Sequence, residues 1–336
     1  MSAGDRMHGG PDALGVPLHD FSTNSNACGP CPLALAAVQA ADASRYPDAS
    51  YTALRAALAD WHGVAPGRLL PAGSASEFIF RISAWVGRRA GSAGPPGVWQ
   101  PQHAFGDYAA AAAACGLPRR HDDGGEGAAL VWACEPSSPL GQAHTRWPGA
   151  THGGTVVLDS AYAPLRLSGS ASLGPAQRDR VWQLYSPNKA LGLTGVRAAY
   201  AIAPLGHEAA VAQLDALAPS WVLGSHGVAM LQAWVQAPVQ GWLTNSLTTL
   251  RRWKALQIEL LTGAGWTCLP SEANFFCARP PPGTTVPAWC QALRAQGIKL
   301  RDTGSFGLPG LVRLGVLPPG AQAALLAAIE SVGAPV

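Results

Sequence analysis

Apolar and polar positions along the chain form blocks that predict both amphipathic helices and buried strands. Apolar residues recur at helical spacing over residues 50–61, as Leu54, Ala57, Leu58 and Trp61. The same reasoning predicts further helices over residues 33–41, 78–86, 108–115, 213–237, 239–263, 286–296 and 321–332. Short apolar runs predict strands over residues 68–71, 98–101, 128–134, 155–158, 181–185, 198–203, 274–278 and 311–314.

Helices and strands alternate, which predicts an α/β fold with a mostly parallel sheet covered by helices. Shorter elements over residues 266–336 indicate a smaller α+β domain. We therefore predict a large domain over residues 41–225, a small domain over residues 226–336, and an N-terminal segment, residues 1–40, that joins the small domain. The helix over residues 239–263 is expected to carry Arg251, Arg252 and Lys254 on a solvated face.

Composition narrows the classes of function. With 336 residues, 48% of them hydrophobic and 13% charged, the chain can bury a large core. The net charge is +3 without a long basic run, so a nucleic-acid partner is not expected. No segment reaches the ~18 apolar residues typical of a membrane span, and the polar N-terminus does not resemble a signal peptide. A cytoplasmic location without a membrane partner is therefore expected.

The cysteine count of 7 is odd and the spacings are irregular, which argues against a disulfide framework. One pair, Cys28-Gly29-Pro30-Cys31, has the spacing of a thioredoxin-like redox motif. Redox chemistry would need this pair after a strand, but a polar loop precedes it. Zinc binding is disfavoured because no second Cys/His pair follows at a suitable spacing, and no metal site is predicted.

Lys189 is one of only three lysines in a chain whose other basic groups are arginines and histidines. It follows Ser186 by three residues and precedes Arg197 by eight, within a segment rich in small residues. A lysine amine can form a Schiff base, which a guanidinium cannot. The pattern suits a cofactor with an aldehyde and a phosphate, namely pyridoxal phosphate (PLP). The alternative is an exposed lysine in a loop.

Other polar residues follow predicted strands, where ligands of parallel sheets bind. Ser74, Ala75 and Ser76 lie between a strand and a helix, an arrangement that can bind phosphate through backbone N–H groups. Asp159 ends another strand and Tyr162 follows it. A carboxylate can keep a pyridine nitrogen protonated, and a phenol can bond the ring oxygen of PLP. The alternative for Asp159 is a helix cap or turn residue.

Taken in order, these motifs resemble the aspartate-aminotransferase superfamily of PLP enzymes over residues 21–314. The resemblance implies that Lys189 binds the cofactor aldehyde and moves a proton, and that these enzymes are typically homodimers. It also implies contacts to the ring and phosphate of PLP from Asp159, Tyr162, Phe105, Ser138, Ser74, Ala75, Ser76, Ser186 and Arg197, and from Tyr46 of a neighbouring subunit. Arg313 would bind the substrate α-carboxylate.

One motif departs from the family pattern. The family usually has asparagine where this chain has Ser138 before Pro139. A hydroxyl can still donate to the ring oxygen, but it is shorter than an amide, so we expect a weaker contact.

The opening His8-Gly9-Gly10 and residues 20–26 resemble the threonine-phosphate decarboxylases of cobalamin biosynthesis, relatives of histidinol-phosphate aminotransferases. Here Arg301 would bind the substrate phosphate, assisted by His8 and Asn26, although His8 could be only a terminal residue. The resemblance implies decarboxylation of L-threonine O-3-phosphate to (R)-1-amino-2-propanol phosphate. The alternatives are an aminotransferase acting on a phosphorylated substrate such as histidinol phosphate, a non-catalytic PLP-binding module, and a thiol redox protein.

Overall fold

A computed structural model describes residues 8–89, 97–120, 125–149, 152–283 and 285–332. The helices are α1 (Pro32–Gln39), α2 (Thr52–His62), α3 (Ala75–Arg89), α4 (Gly106–Ala114), α5 (Pro175–Arg178), α6 (Glu208–Asp215), α7 (Ser225–Trp234), α8 (Ala237–Gly263), α9 (Val286–Ala295) and α10 (Pro319–Val332). The strands are β1 (His19–Asp20), β2 (Leu69–Ala72), β3 (Val98–Trp99), β4 (Arg119–Arg120), β5 (Leu130–Cys134), β6 (Thr155–Asp159), β7 (Trp182–Tyr185), β8 (Ala199–Ile202), β9 (Thr267–Cys268), β10 (Phe275–Arg279), β11 (Ile298–Lys299), β12 (Arg301–Asp302) and β13 (Val312–Gly315).

Within the described residues, the main sheet has seven strands in the order β2-β8-β7-β6-β5-β3-β4. Only β8 runs antiparallel to its neighbours, which confirms the predicted α/β fold with a mostly parallel sheet. The central strands are buried on both faces because their side chains alternate between apolar clusters, whereas the edge strand β4 is exposed. In β8, Tyr200 and Ile202 pack into one cluster, and Ala199 and Ala201 pack into the other.

A second, antiparallel sheet has the order β12-β13-β10-β9. Helices α8 and α9 both contact α10 beside it. The N-terminal segment reaches this part of the molecule through β1, which pairs in parallel with β11. None of the described helices is long and apolar enough to span a membrane.

Two expectations for the helices are wrong. A single helix over residues 213–237 does not form, because α6 ends at Asp215 and α7 begins at Ser225. Pro219, which lacks a backbone N–H, lies in the break, and Gly224 precedes α7. Lys254 of α8 is not on a solvated face but only 8% exposed.

The Lys254 ammonium is buried because its long side chain reaches two backbone carbonyls. Its Nζ donates to the oxygens of Ser271 and Ala273. Burial lowers the pKa of Lys254 to about 8. Lys254 therefore anchors the segment that leads into β10.

Candidate active site

A cavity of about 660 Å³ lies at the carboxyl edge of the main sheet. Thirteen of the residues singled out in the sequence line it: His8, Ser74, Ala75, Ser76, Phe105, Ser138, Asp159, Tyr162, Ser186, Lys189, Arg197, Arg301 and Arg313. Strands β2, β5, β6 and β7 all end at this edge, so residues far apart in sequence meet there. Asn26 and Tyr46 are not among the lining residues.

Lys189 follows β7 and projects its amine into this cavity. Its Nζ lies 3.4 Å from Ser186 Oγ and 5.5 Å from the centre of the Tyr162 ring. The backbone here is fixed by Asn26, whose N–H donates to Lys189 O (2.9 Å) and whose side-chain amide donates to Ala190 O (3.0 Å). The structure thus places Asn26 behind the lysine segment rather than in the substrate cavity.

Asp159, at the end of β6, is only 4% exposed. Its Oδ2 accepts a hydrogen bond from the Tyr108 hydroxyl (2.7 Å) and its Oδ1 accepts one from the Ala161 N–H (2.9 Å). Burial raises the pKa of Asp159, while these two donors and the nearby Lys189 oppose that rise. Tyr108 therefore holds the Asp159 carboxylate in a fixed position, where it can face a cationic nitrogen in the cavity.

Tyr108 was not identified from the sequence. It lies on α4 and its ring stacks on Trp132 of β5, with centroids 4.4 Å apart. In sequence it resembles a core aromatic beside a run of alanines, and only the fold brings its hydroxyl to Asp159. The spacing of three residues from Phe105, one helical turn, is the only sequence signal that could have linked it to the site.

Two hydroxyls flank the amine and the carboxylate. The Tyr162 hydroxyl accepts a hydrogen bond from the Asn24 side chain (3.4 Å), and the Tyr162 ring packs against Phe275. The Ser138 hydroxyl accepts one from Arg313 (3.2 Å), which leaves its own proton available to donate. Both hydroxyls can bond an oxygen of a bound ring.

The amino end of α3 forms a second side of the cavity. The Ser74 hydroxyl accepts the Glu77 N–H (3.0 Å), and the Glu77 carboxylate accepts the Gly73 N–H (3.1 Å). The first turn of this capped helix carries Ala75 and Ser76, which line the cavity, and the helix dipole at this end favours an anion. Ser186 and the exposed Arg197 line the same cavity, so these groups together can hold a phosphate.

Arg301 and Arg313 form a buried pair of cations on the opposite wall. They are register partners in the antiparallel strands β12 and β13, and they are 5% and 6% exposed. Burial, together with the charge of Arg313, lowers the pKa of Arg301 to about 10, and burial lowers that of Arg313. Like charges directly opposite in a sheet are destabilising, so an anion bound beside the two guanidinium groups would stabilise this arrangement.

The Arg313 side chain keeps donors available for such an anion. It donates to Ser138 Oγ and to Ser22 O (2.9 Å), and its buried Nε has no hydrogen-bond partner among the described residues.

His8, the first described residue, also lines the cavity, and its ring lies 6.3 Å from that of Phe105.

The remaining sequence candidates, Tyr46 and the pair Cys28 and Cys31, lie elsewhere. Tyr46 is 77% exposed and its ring stacks on Trp221 with centroids 4.3 Å apart. Cys28 and Cys31 are free thiols, and Cys31 is fully buried. Burial raises the pKa of the Cys28 thiol, which opposes the thiolate form that redox chemistry needs.

The cavity matches the chemical groups of PLP. Four kinds of protein group line one cavity, and each suits one part of PLP. The amine suits the aldehyde, and the buried carboxylate suits the pyridinium nitrogen. The hydroxyls suit the ring oxygen, and the amino end of the helix suits the phosphate. The chemistry of the described lining residues therefore fits this cofactor.

Comparisons with known proteins agree with this assignment of a PLP site. Histidinol-phosphate aminotransferase 2 of Ralstonia nicotianae is 31% identical to this chain, over 93% of the chain and 87% of that protein. The structure resembles histidinol-phosphate aminotransferase from Sinorhizobium meliloti in complex with pyridoxal-5'-phosphate, with a TM-score of 0.74, 22% identity and coverage of 93% and 90%. It also resembles L-threonine-O-3-phosphate decarboxylase from Porphyromonas gingivalis, with a TM-score of 0.74, 20% identity and coverage of 93% and 98%.

The predicted superfamily, fold and cofactor are thereby confirmed. A family model for class I and II aminotransferases matches residues 17–332, nearly the whole chain. The chain belongs to the class I and II aminotransferases, and its cofactor is PLP.

Proposed function

We propose that this chain is an aminotransferase whose amino substrate carries a phosphate, with histidinol phosphate as the leading candidate. One observation carries the proposal: Arg301 and Arg313, paired in register and buried, line the same cavity as Lys189. A phosphate dianion would offset the repulsion between the guanidinium groups, and guanidinium binds phosphate and carboxylate well. The Ralstonia relative named histidinol-phosphate aminotransferase supports this substrate over the decarboxylase substrate that the N-terminus suggested.

The roles that we propose for the residues follow from their chemistry. When bound, PLP supplies an aldehyde for the substrate amine and a ring that accepts electrons from the bond broken at the substrate Cα. Asp159 would keep the ring nitrogen protonated, and Tyr162 and Ser138 would donate to the ring oxygen. Lys189 would hold the cofactor and then carry the proton at Cα.

The phosphate of the cofactor would be bound by a separate group of donors. We propose that these are Ser74, Ala75 and Ser76 at the amino end of α3, together with Ser186 and Arg197. Phe105 would cover one face of the ring. The substrate phosphate and any carboxylate would then be left to Arg301 and Arg313.

Decarboxylation of L-threonine O-3-phosphate is a second candidate. It is favoured by the position of His8 and Gly9, which line the cavity beside Phe105 and belong to the motif that resembles threonine-phosphate decarboxylases. That substrate carries both a phosphate and a carboxylate, so it would use both arginines. The reaction would release carbon dioxide and would need no keto acid.

A single set of assays on the purified, PLP-loaded protein separates the two reactions. With histidinol phosphate and 2-oxoglutarate, we expect glutamate to form. With L-threonine O-3-phosphate alone, we expect no carbon dioxide. Carbon dioxide without glutamate would replace transamination by the second candidate, and activity on neither substrate would overturn the proposed substrate class.

A further inference from the structure

The two buried arginines share one aromatic ring, that of Phe306. The guanidinium carbons of Arg301 and Arg313 lie 4.8 and 5.7 Å from the centre of this ring. Phe306 lines the cavity and lies in the turn between β12 and β13, the strands that carry the two arginines. The face of an aromatic ring attracts cations, so one side chain interacts favourably with both members of a repelling pair.

The turn that carries Phe306 is fixed from two directions. The single proton of the Thr303 hydroxyl can be donated to either of two backbone oxygens, those of Leu308 (2.7 Å) and Leu311 (2.8 Å). From the other side of the cavity, His103 Nδ1 lies 2.7 Å from Phe306 O, which makes it the donor in this contact. His103 precedes Phe105 in the segment between β3 and α4, so this bond ties two walls of the cavity together.

We propose that Phe306 is a specificity-determining residue that selects phosphorylated substrates, and that His103 positions it. The Phe306 ring keeps the guanidinium groups of Arg301 and Arg313 in place before the substrate binds, so a phosphate meets a preorganised site. An aliphatic side chain would fill the same space but would remove this ring face from both guanidinium groups, and Arg313 would keep only the ring of Phe275, 5.6 Å away. This proposal rests on the proposed function, because it concerns the same substrate phosphate.

The first test compares Phe306→Leu with Phe306→Tyr, which retains an aromatic face. For each protein, kcat and KM are measured with histidinol phosphate and with histidinol. We expect Phe306→Leu to reduce the preference for the phosphorylated form about tenfold, mainly through KM, since two cation–π contacts are lost. The Phe306→Tyr protein should retain most of the wild-type preference for the phosphorylated substrate.

His103 is tested in the same assay. His103→Ala should reduce the preference severalfold, because the Phe306 turn loses its bond across the cavity. His207→Ala is the matched control: His207 is exposed and does not line this cavity, so its removal should change nothing. An unchanged preference in both Phe306→Leu and His103→Ala would overturn the proposal.

A binding measurement separates this inference from the proposed reaction. Calorimetric titration of the PLP-loaded proteins with inorganic phosphate reports on Arg301 and Arg313, because the phosphate of the cofactor occupies its own subsite. We expect wild type and Phe306→Tyr to bind phosphate several times more tightly than Phe306→Leu, even if neither proposed substrate is turned over. Equal affinities would contradict the role of the ring, and His103→Ala decides the matter if Phe306→Leu does not fold.

Discussion

Individual residues of the site were predictable where their signal is local in sequence. Ser186, Lys189 and Arg197 lie within one segment, so their spacing alone predicts that the three act together. Tyr108 has only its spacing from Phe105 as a local signal, because its partner Asp159 is 51 residues away, on strand β6. For Asn26, the resemblance implied a contact to the substrate phosphate, whereas in the structure its side-chain amide donates to the backbone beside Lys189.

The hydrogen bond between Tyr108 and Asp159 yields a test with a pH signature. Without the Tyr108 hydroxyl, burial of Asp159 is less opposed, so the pKa of this carboxyl rises further. Asp159 then becomes protonated at a higher pH than in wild type. The acid limb of the profile of kcat against pH should therefore shift to higher pH. Because a bond to a charged group contributes about 1.5–3 kcal/mol, we expect kcat of Tyr108→Phe to fall by about 10- to 150-fold.

The control for this test is Tyr185→Phe. The Tyr185 hydroxyl donates to Gln183 (3.0 Å) and does not line the cavity, so its removal should leave the pH profile unchanged. A Tyr108→Phe enzyme with the kcat and pH profile of wild type would show that Asp159 does not depend on this bond.

At the scale of elements, buried strands were the most predictable. The apolar run over residues 128–134 contains β5, and the run over residues 155–158 corresponds to β6. Most strands of two residues, β11 and β12 among them, are not predicted because so short a run has no period, although β3 is. Nor can local sequence show that β8 runs antiparallel, since strand direction depends on where the connections lead.

Helices were misjudged where a local feature or a distant partner overrides the apolar pattern. Pro219 divides the predicted helix over residues 213–237, and its presence in the sequence was a usable signal. The burial of Lys254 was not predictable, because its carbonyl partners lie on a segment that α8 meets only in the folded chain. The pairing of Arg301 with Arg313 was hidden for the same reason, although each was chosen separately.

At the scale of the whole molecule, the exposed stack of the Tyr46 ring on the Trp221 ring concerns how two chains could associate. Trp221 adopts a left-handed backbone conformation (φ 52°), and its indole N–H donates to Pro47 O (3.0 Å). The pair thus holds Tyr46 outward, away from the cavity of its own subunit. We propose that the chain forms a homodimer in which Tyr46 reaches the cofactor phosphate of the neighbouring subunit. The predicted domain boundaries stay a prediction.

Hybrid dimers test this arrangement. Tyr46→Ala and Lys189→Ala should each be inactive at limiting PLP, the first through weaker cofactor binding. Co-expression should restore activity, because one site of a hybrid then combines an intact Lys189 with an intact Tyr46 from the other subunit. A monomer in sedimentation, or hybrids without regained activity, would refute the shared site.

The central claim is that PLP is attached to Lys189 within this cavity. Borohydride reduction of the PLP-loaded protein, followed by peptide mass spectrometry, tests it directly, because the chain offers only two other lysines, Lys254 and Lys299. We predict one pyridoxyl group per chain, on Lys189, and none on the Lys189→Ala protein. A label on Lys254 or Lys299, or no label at all, would contradict the account.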